Sequence, residues 1–283
     1  MAVYSHSRLS TFEQCKLKYK FRYIDKLEVE VEETIEAFLG HVVHSTLEYL
    51  YNKKIRENKT LNIDDVVMFF TETWQKEFKQ NILINKNHLT DKDYFEMGIR
   101  FLLDYYVKNA PFDDGTLETE KKILFPIDEN ENNFILGYID RLVLNKKLNR
   151  FEIHDYKTGG SIPSKEKFEE DRQLALYSYA IKRMYGFDKE VKLIWHYLAF
   201  NQEIQSSRTN DELEDLIKRI KNLIKEIERE KEFPYTKSAL CDWCEFKSIC
   251  PAWQNSVSAQ TPSSKDAKKD LEKYPTLLKY IKE

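Results

Sequence analysis

Hydrophobic residues in this chain follow a helical period first, then an extended one, and then a helical one again. In residues 7–24, 37–57, 63–83 and 91–109, apolar side chains recur every three or four positions, which predicts four helices. Pro111 and the Asp-Asp-Gly sequence at 113–115 then favour a turn. Residues 117–125, 134–144 and 150–156 are rich in apolar and β-branched side chains, which predicts three consecutive strands.

The second half of the chain contains one more predicted strand. Helical spacing returns in residues 165–185, an apolar and aromatic stretch at 191–200 predicts the fourth strand, and residues 210–231 have the pattern of a charged amphipathic helix. This order predicts a mixed α/β (α+β) fold, in which a central mixed sheet of four to five strands is flanked by helices. We expect one domain over residues 1–255, followed by a polar tail at 256–283 with room for a short helix.

Composition excludes several classes of protein. The 283 residues are 41% hydrophobic, which is enough for a substantial core. A net charge of −3 excludes a uniformly basic chain, but residues 1–27 hold six basic and two acidic side chains. Such a segment can follow a phosphate backbone, although a solvated helix face has the same pattern. The first residues form no apolar leader, and no stretch approaches the roughly 20 apolar residues of a membrane span, so we expect a soluble cytoplasmic protein.

Three charged residues lie in the predicted second and third strands. Asp140 lies within the second strand, and Asp155 and Lys157 lie at the end of the third. Charged side chains among Ile, Leu and Val are costly unless they are paired or bind a metal. A hairpin would place Asp140 beside Asp155, and two such carboxylates suit Mg²⁺ or Mn²⁺ and phosphodiester hydrolysis. The alternative is a surface ion pair between Asp155 and Lys157.

The four cysteines have the spacing of a metal site. Cys241, Cys244 and Cys250 form C-x2-C-x5-C, and the other cysteine is Cys15. Three clustered thiols and one distant thiol make a complete set of four ligands for structural zinc or for an iron–sulfur cluster, and spacing alone does not separate the two. Either group would tie the first predicted helix to the C-terminal segment. Disulfides are the weaker alternative in a reducing compartment.

Four short motifs occur in order along the chain. They are G-x-x-x-H on the second predicted helix, G-x-x-D-R on the second strand, D-x-K-T-G at the end of the third strand, and Q-x-x-x-Y on the next helix. Their residues are, in that order, Gly40 and His44; Gly137, Asp140 and Arg141; Asp155, Lys157, Thr158 and Gly159; and Gln173 and Tyr177. Together these motifs resemble the RecB-like branch of the PD-(D/E)XK nuclease superfamily.

This resemblance implies a restriction-endonuclease-like core with a helical N-terminal region, and a deoxyribonuclease that depends on Mg²⁺ or Mn²⁺. The implied metal ligands are His44, Asp140, Asp155 and the carbonyl of Tyr156. Lys157 would be the catalytic lysine. Gln173 and Tyr177 share a helix face because they are four residues apart, and they would position the DNA or the lysine.

The cysteines add a second resemblance, to AddB-type nucleases and to the CRISPR-associated Cas type-four exonucleases. In those relatives one N-terminal and three C-terminal cysteines bind a [4Fe-4S] cluster. The resemblance implies the same role for the four cysteines of this chain, with structural Zn²⁺ as the alternative. Many relatives have proline directly after the first cysteine, where this chain has Lys16.

The function that follows is exonuclease cleavage of DNA, with single strands as the expected substrate. The expected setting is DNA repair, recombination or CRISPR adaptation, with proteins of those pathways as partners. The predicted DNA contacts are Arg8, Lys16, Lys18, Lys20, Arg22 and Arg141. Tyr19, Phe21 and Tyr23 alternate with these basic residues, which fits base stacking and equally fits aromatic side chains in the core. A non-catalytic DNA-binding or assembly subunit and a nuclease acting on RNA are the alternatives.

Overall fold

The computed structural model describes residues 2–29, 33–86, 88–128 and 132–254. The helices are α1 (His6–Gln14), α2 (Lys16–Tyr19), α3 (Ile35–Glu57), α4 (Ile63–Glu77), α5 (Asp91–Asn109), α6 (Lys165–Glu169), α7 (Arg172–Tyr185), α8 (Asn210–Arg229) and α9 (Pro251–Gln254). The strands are β1 (Ala2–Tyr4), β2 (Thr116–Pro126), β3 (Asn133–Asn145), β4 (Arg150–Lys157), β5 (Glu190–Tyr197) and β6 (Gln202–Ser207). The polar tail predicted at 256–283 lies outside the described residues.

The strands form one mixed sheet flanked by helices, which confirms the predicted fold class. β2 pairs antiparallel with β3 from Phe134 to Val143. The other edge of β3 is shared by two strands, because β1 runs parallel to its first residues and β4 runs antiparallel to its last ones. β5 pairs parallel with β4, and β6 pairs antiparallel with β5.

β1 and β6 raise the number of described strands to six, where the sequence predicts four or five. β1 has only three residues, too few to show a period. β6 has the sequence QEIQSS and begins after Asn201, whose φ of 48° lies in the left-handed region. An edge strand tolerates polar side chains because part of it faces water, so its sequence is not distinguished from a loop.

The helical predictions hold for the long helices and differ at their ends. The predicted helix over 7–24 is interrupted at Cys15, whose backbone is extended with φ −160° and ψ 111°. The helix predicted over 63–83 ends at Glu77. The helix predicted over 165–185 is divided at Asp171, because its side chain accepts a hydrogen bond from the Leu174 amide and starts α7.

α3 carries the first motif and packs with α4 and α5. Its buried apolar residues recur at helical spacing and are Phe38, Leu39, Val42, Val43, Leu47, Leu50 and Tyr51. They share one core with Phe70 of α4, Leu102 of α5 and Tyr156 of β4. Gly40 lets α3 approach the end of β4 closely, since a Cβ there would lie 3.2 Å from Thr158 Oγ1. His44 is one turn further along the same helix.

The chain forms two compact units. The first comprises Met1–His6 and Glu32–Glu226 and holds the whole sheet. The second comprises Ser7–Val31 and Ile227–Glu283 and holds all four cysteines. The two chain segments that the cysteine prediction joins therefore lie in the same unit, whereas a single domain over 1–255 stays a prediction. No helix among the described residues is long and apolar enough to cross a membrane.

Candidate metal centre

The candidate metal centre lies in the first unit, at the point where β3 and β4 separate. Their last pair before the separation is Arg141 with His154, so Asp140 and Asp155 are the next residues in register. Beyond this pair the Asp140 side chain replaces the backbone ladder, because its Oδ2 accepts a hydrogen bond of 2.9 Å from the Tyr156 amide. The predicted hairpin thus brings the two aspartates together, at a point where their strands no longer pair.

His44 faces this separation from α3. Its Nε2 lies 2.9 Å from the Tyr156 carbonyl oxygen, and its Nδ1 lies 3.4 Å from Asp140 Oδ2. A neutral imidazole that donates from Nε2 turns the lone pair of Nδ1 towards the Asp140 carboxylate. A metal cation between the two atoms would relieve this arrangement. His44, Asp140 and Tyr156 are therefore adjacent, as the resemblance implies.

Glu120 on β2 is a further acidic member of this site. Ligand atoms of His44, Glu120 and Asp140 all lie within 4.8 Å of one another, which is close enough for one cation. Register places Glu120 opposite Asp140, because the flanking pairs are Thr119 with Arg141 and Lys121 with Ile139. Burial raises the pKa of Glu120, and the Asp140 and Glu48 carboxylates raise it further while His44 opposes them.

The sequence analysis does not identify Glu120. It belongs to no motif, and together with Glu118 it follows the alternation expected for the solvent face of a strand. Two features mark it in the structure: its place opposite a motif aspartate, and a φ of 45° inside a strand. A non-glycine residue in the left-handed region is under backbone strain, and such strain is concentrated at functional sites.

Asp155 and Lys157 complete the site on β4. Lys157 Nζ lies 2.7 Å from Asp155 Oδ2, yet this buried oxygen has no partner with hydrogen-bond geometry among the described residues. Burial raises the pKa of Asp155 to about 6, because the effect of Lys157 is smaller and Asp140 adds repulsion. Burial alone would lower the pKa of Lys157, but Asp155 and Asp140 outweigh it and raise that pKa. A buried, incompletely satisfied carboxylate is what a cation would stabilise.

Tyr177 lies near these carboxylates, because Asp155 and Asp140 both act on its pKa, and Gln173 contacts Tyr177. Gln173 Nε2 donates to Tyr177 Oη at 3.2 Å, and burial raises the pKa of the Tyr177 hydroxyl. Tyr177 packs on Gly137, where an added Cβ would lie 2.4 Å from Cε1 of the ring. This packing explains the glycine of the G-x-x-D-R motif, because any side chain there would displace the tyrosine.

Arg141 is buried, which corrects the prediction that it contacts DNA. Its side chain is 1% exposed. Nε donates to Tyr156 Oη at 2.8 Å, and Nη1 donates to the carboxylate of Asp114. The guanidinium carbon lies 4.2 Å from the ring centroid of Tyr51. Arg141 therefore anchors the side chain of Tyr156, whose backbone contacts both His44 and Asp140.

Comparison with known proteins identifies the fold family. The family model of the PD-(D/E)XK nuclease superfamily matches residues 3–251. The chain belongs to this superfamily. The crystal structure of a candidate exonuclease from Eubacterium rectale is 13% identical, with a TM-score of 0.51 over 94% of this chain and 91% of that one. The structure of SSO0001 is 15% identical, with a TM-score of 0.37 over 87% and 95%. No curated protein sequence matches this chain.

Nucleases of the PD-(D/E)XK superfamily typically use divalent metal ions, and the residues here fit one. His44, Glu120 and Asp140 offer nitrogen and oxygen ligands at cation distance, and the buried Asp155 oxygen lacks a full set of partners. The Asp155–Lys157 pair stands at the end of β4 in the D-x-K spacing after which the superfamily is named. The chain is therefore a nuclease by family and holds a cluster suited to a divalent ion.

The four cysteines of the second unit line one cavity. None of them forms a disulfide, and Cys15, Cys244 and Cys250 border an apolar cluster of Leu17, Phe21 and Phe246. Among the described residues, no three cysteine sulfurs lie within 4.8 Å of one another. Burial raises the pKa of Cys244 and Cys250. The thiols thus surround a shared space rather than forming a closed set for a single ion.

The basic residues near the N-terminus already have partners in the second unit. Lys16 pairs with Glu230 at 2.6 Å, Lys18 pairs with Glu245 at 3.0 Å, and Lys20 pairs with Asp25 at 2.9 Å. Arg22 also pairs with Glu245, and Arg8 donates to Tyr19 Oη at 3.0 Å. DNA contacts by these five residues stay a prediction, and they would require an exchange of partners.

The aromatic residues between them do not form a stacking surface. Tyr19 and Phe21 are each 1% exposed, and Phe21 packs edge-on against Phe246. Of the two interpretations of this segment, the aromatic core is therefore correct for Tyr19 and Phe21.

Proposed function

We propose that this chain is a DNA exonuclease that hydrolyses phosphodiester bonds with Mg²⁺ or Mn²⁺. The observation that carries the proposal is the convergence of His44, Glu120 and Asp140 beside the buried Asp155 and its partner Lys157, in a chain of the PD-(D/E)XK superfamily. Oxygen-rich ligand sets of this kind suit Mg²⁺ and Mn²⁺ better than softer metals.

The metal would be held by His44, Asp140, Asp155 and Glu120, with the Tyr156 carbonyl as a further oxygen. When bound, it supplies Lewis-acid polarisation of the phosphate and a water of lowered pKa. Lys157 stays protonated at neutral pH because the neighbouring carboxylates raise its pKa. The Lys157 side chain is 38% exposed, so its ammonium group can reach the scissile phosphate and stabilise the negative charge that develops there.

Gln173 and Tyr177 would act on orientation. The hydroxyl of Tyr177 is fixed by Gln173 and by the packing on Gly137, which holds both side chains beside the carboxylates. A fixed amide and a fixed hydroxyl can hold the substrate strand or Lys157 in one position. Positioning of this kind lowers the activation barrier, because the reacting groups lose little translational and rotational entropy on the way to the transition state.

The exonuclease mode is supported by the candidate exonuclease from Eubacterium rectale, which shares the fold, and by the resemblance to RecB-like nucleases. Single-stranded DNA is the proposed substrate. DNA repair, recombination or CRISPR adaptation is the proposed setting, with proteins of those pathways as partners.

A [4Fe-4S] cluster is the proposed second cofactor, bound by Cys15, Cys241, Cys244 and Cys250. All four line one cavity, and no three of their sulfurs lie within 4.8 Å of one another among the described residues, whereas a tetrahedral zinc site with 2.3 Å bonds requires all four to lie ~3.8 Å apart. Iron and sulfide analysis of protein purified without oxygen tests this assignment. We expect both elements in the wild type and their loss in Cys15→Ala. Stoichiometric zinc without iron would contradict the cluster assignment and indicate a structural zinc site instead.

The activity is tested with end-labelled oligonucleotides. Single-stranded DNA, duplex DNA and RNA of one sequence, labelled at the 5′ or the 3′ end, are incubated with Mg²⁺ or Mn²⁺. We expect stepwise shortening of the single-stranded DNA from one end, and none with Asp140→Asn. Faster cleavage of RNA would change the substrate. Binding of DNA without cleavage under any metal would instead indicate a non-catalytic subunit.

A further inference from the structure

The sheet presents an exposed apolar strip beside the metal centre. Tyr138 of β3 is 47% exposed, Leu124 of β2 is 52% exposed, and Val3 of β1 is 39% exposed. The half-buried Phe134 and Leu136 connect them, because Leu124 pairs with Leu136 and Val3 pairs with Phe134. These five residues, the apolar strip, share one face of three adjacent strands. Contiguous exposed apolar surface of this kind marks a binding site.

The apolar strip leads directly into the metal centre. Tyr138 precedes Asp140 by two residues on β3, so the two side chains project to the same face about 7 Å apart. Lys122 lies opposite Tyr138, next to Glu120 along β2. Lys122 is exposed and forms no ion pair with any residue that the structure describes. Moving away from the carboxylates, the face therefore presents a free cation beside an aromatic ring, and then aliphatic side chains.

We propose that the apolar strip binds unpaired bases of the nucleic-acid strand whose phosphate enters the metal centre, and that Tyr138 stacks on one of those bases. The 7 Å between Tyr138 and Asp140 corresponds to about two base steps of 3.4 Å. Lys122 contacts the backbone of the same strand. This inference rests on the proposed function and names the group of the substrate that the enzyme recognises.

The chemistry of the surface favours a single strand over other occupants. Base faces are accessible in a single strand and are covered by their neighbours in a duplex, so an aromatic platform selects unpaired bases. An apolar peptide would leave Lys122, which has no ion-pair partner among the described residues, without an anionic group to contact at the Tyr138 end of the strip. The strip is continuous with a metal centre that would bind phosphodiesters. A substrate strand held there has an anionic backbone, and the positive charge of Lys122 complements it.

The test measures binding without cleavage. A fluorescently labelled oligothymidylate is titrated with protein in EDTA, and the dissociation constant is read from anisotropy. Tyr138→Ala should raise the dissociation constant about fivefold or more, the range expected for one stacked base. Tyr138→Phe should keep it, because the ring and not the hydroxyl makes the contact. Leu124→Ala should weaken binding less, and Leu148→Ala, a leucine 56% exposed at the β3–β4 turn, should leave it unchanged.

A series of oligonucleotides with single abasic positions links the effect to a base. The wild type should lose affinity when one particular base is missing, and Tyr138→Ala should show no further loss at that position. The proposal is overturned if Tyr138→Ala binds like the wild type, or if it loses the same affinity for intact and abasic strands. Unchanged DNA binding together with loss of self-association in sedimentation would make the strip a protein interface instead.

The outcome is separable from that of the nuclease proposal. If DNA binding depends on Tyr138 but no metal supports cleavage, the proposed role of the apolar strip stands and the nuclease assignment fails. If cleavage occurs but DNA binding does not depend on Tyr138, the nuclease assignment stands and the proposed role of the apolar strip fails.

Discussion

Asp155→Asn should make the metal-free protein more stable while it removes activity. Asp155 is 4% exposed, and one of its oxygens has no partner with hydrogen-bond geometry among the described residues. Burial raises its pKa to about 6 from an ordinary value of 3.8. The folded protein therefore favours the neutral acid more than the unfolded chain does, and asparagine is a neutral side chain of nearly the same shape.

The difference between the two pKa values corresponds to ~3 kcal/mol at 1.36 kcal/mol per unit. Below about pH 3 the carboxyl is protonated in both folded and unfolded chains, so it does not affect stability. As the pH rises to about 6, the unfolded chain releases its proton first, and the folded state loses stability relative to it. The neutral acid gives up its ion pair with Lys157, and the pKa of Asp155 already includes that attraction, so loss of the ion pair is contained in the figure.

Urea unfolding in EDTA at several pH values measures this effect. At pH 7.5 the variant should have a free energy of unfolding up to ~3 kcal/mol above the wild type, and the gap should shrink as the pH falls and close near pH 3. Adding Mg²⁺ should stabilise the wild type more than the variant. Asp215→Asn, at an aspartate 63% exposed, is the matched control and should change stability little at any pH. A variant less stable than the wild type by the same amount at every pH would refute the reasoning.

Four further substitutions test other parts of the structure. Glu120→Gln should lower Mn²⁺ affinity about tenfold in a calorimetric titration, and unchanged affinity would remove Glu120 from the ligand set. Gly137→Ala should destabilise the fold by ~1–3 kcal/mol in urea unfolding, and adding Tyr177→Ala should recover part of the loss; no recovery would mean that the clash lies elsewhere. Arg141→Lys should cost ~3 kcal/mol and reduce metal affinity, whereas a neutral effect on both would contradict its anchoring role. Cys15→Ala should lower the melting temperature and the cofactor content of the purified protein, and wild-type values for both would count against a shared cysteine site.

The sequence predicts the fold class and much of the candidate site because both depend on local patterns. Residues 134–144 and 150–156 are apolar and separated by a short polar turn, so a hairpin is expected and the opposition of Asp140 and Asp155 follows from its register. His44 is predicted by its motif alone, since a single histidine on an apolar helix carries no signal of its own. Its contact with Asp140 depends on how α3 packs, which no local pattern encodes.

What the sequence does not predict depends on partners distant along the chain. Glu120 is one of two alternating glutamates, and only its pairing with β3 and its left-handed backbone distinguish it. Arg141 is a residue type that often contacts DNA. The tyrosines and Asp114 that bury it come from other elements of the chain, so its own segment does not reveal its burial. Tyr19 and Phe21 alternate with lysines as a stacking surface would, yet Phe233 and Phe246 bury their rings.

The central claim is that the Asp155–Lys157 pair and the adjacent ligands form a metal-dependent nuclease centre. Single-turnover cleavage of 5′-labelled single-stranded DNA by the wild type and by Lys157→Ala, with Mn²⁺ or with EDTA, tests it most directly. We predict cleavage by the wild type only with metal, and a rate about 10²–10³ times lower in the variant, the usual effect of removing one group that stabilises developing charge. Equal rates in the two proteins, or cleavage that persists in EDTA, would contradict the claim.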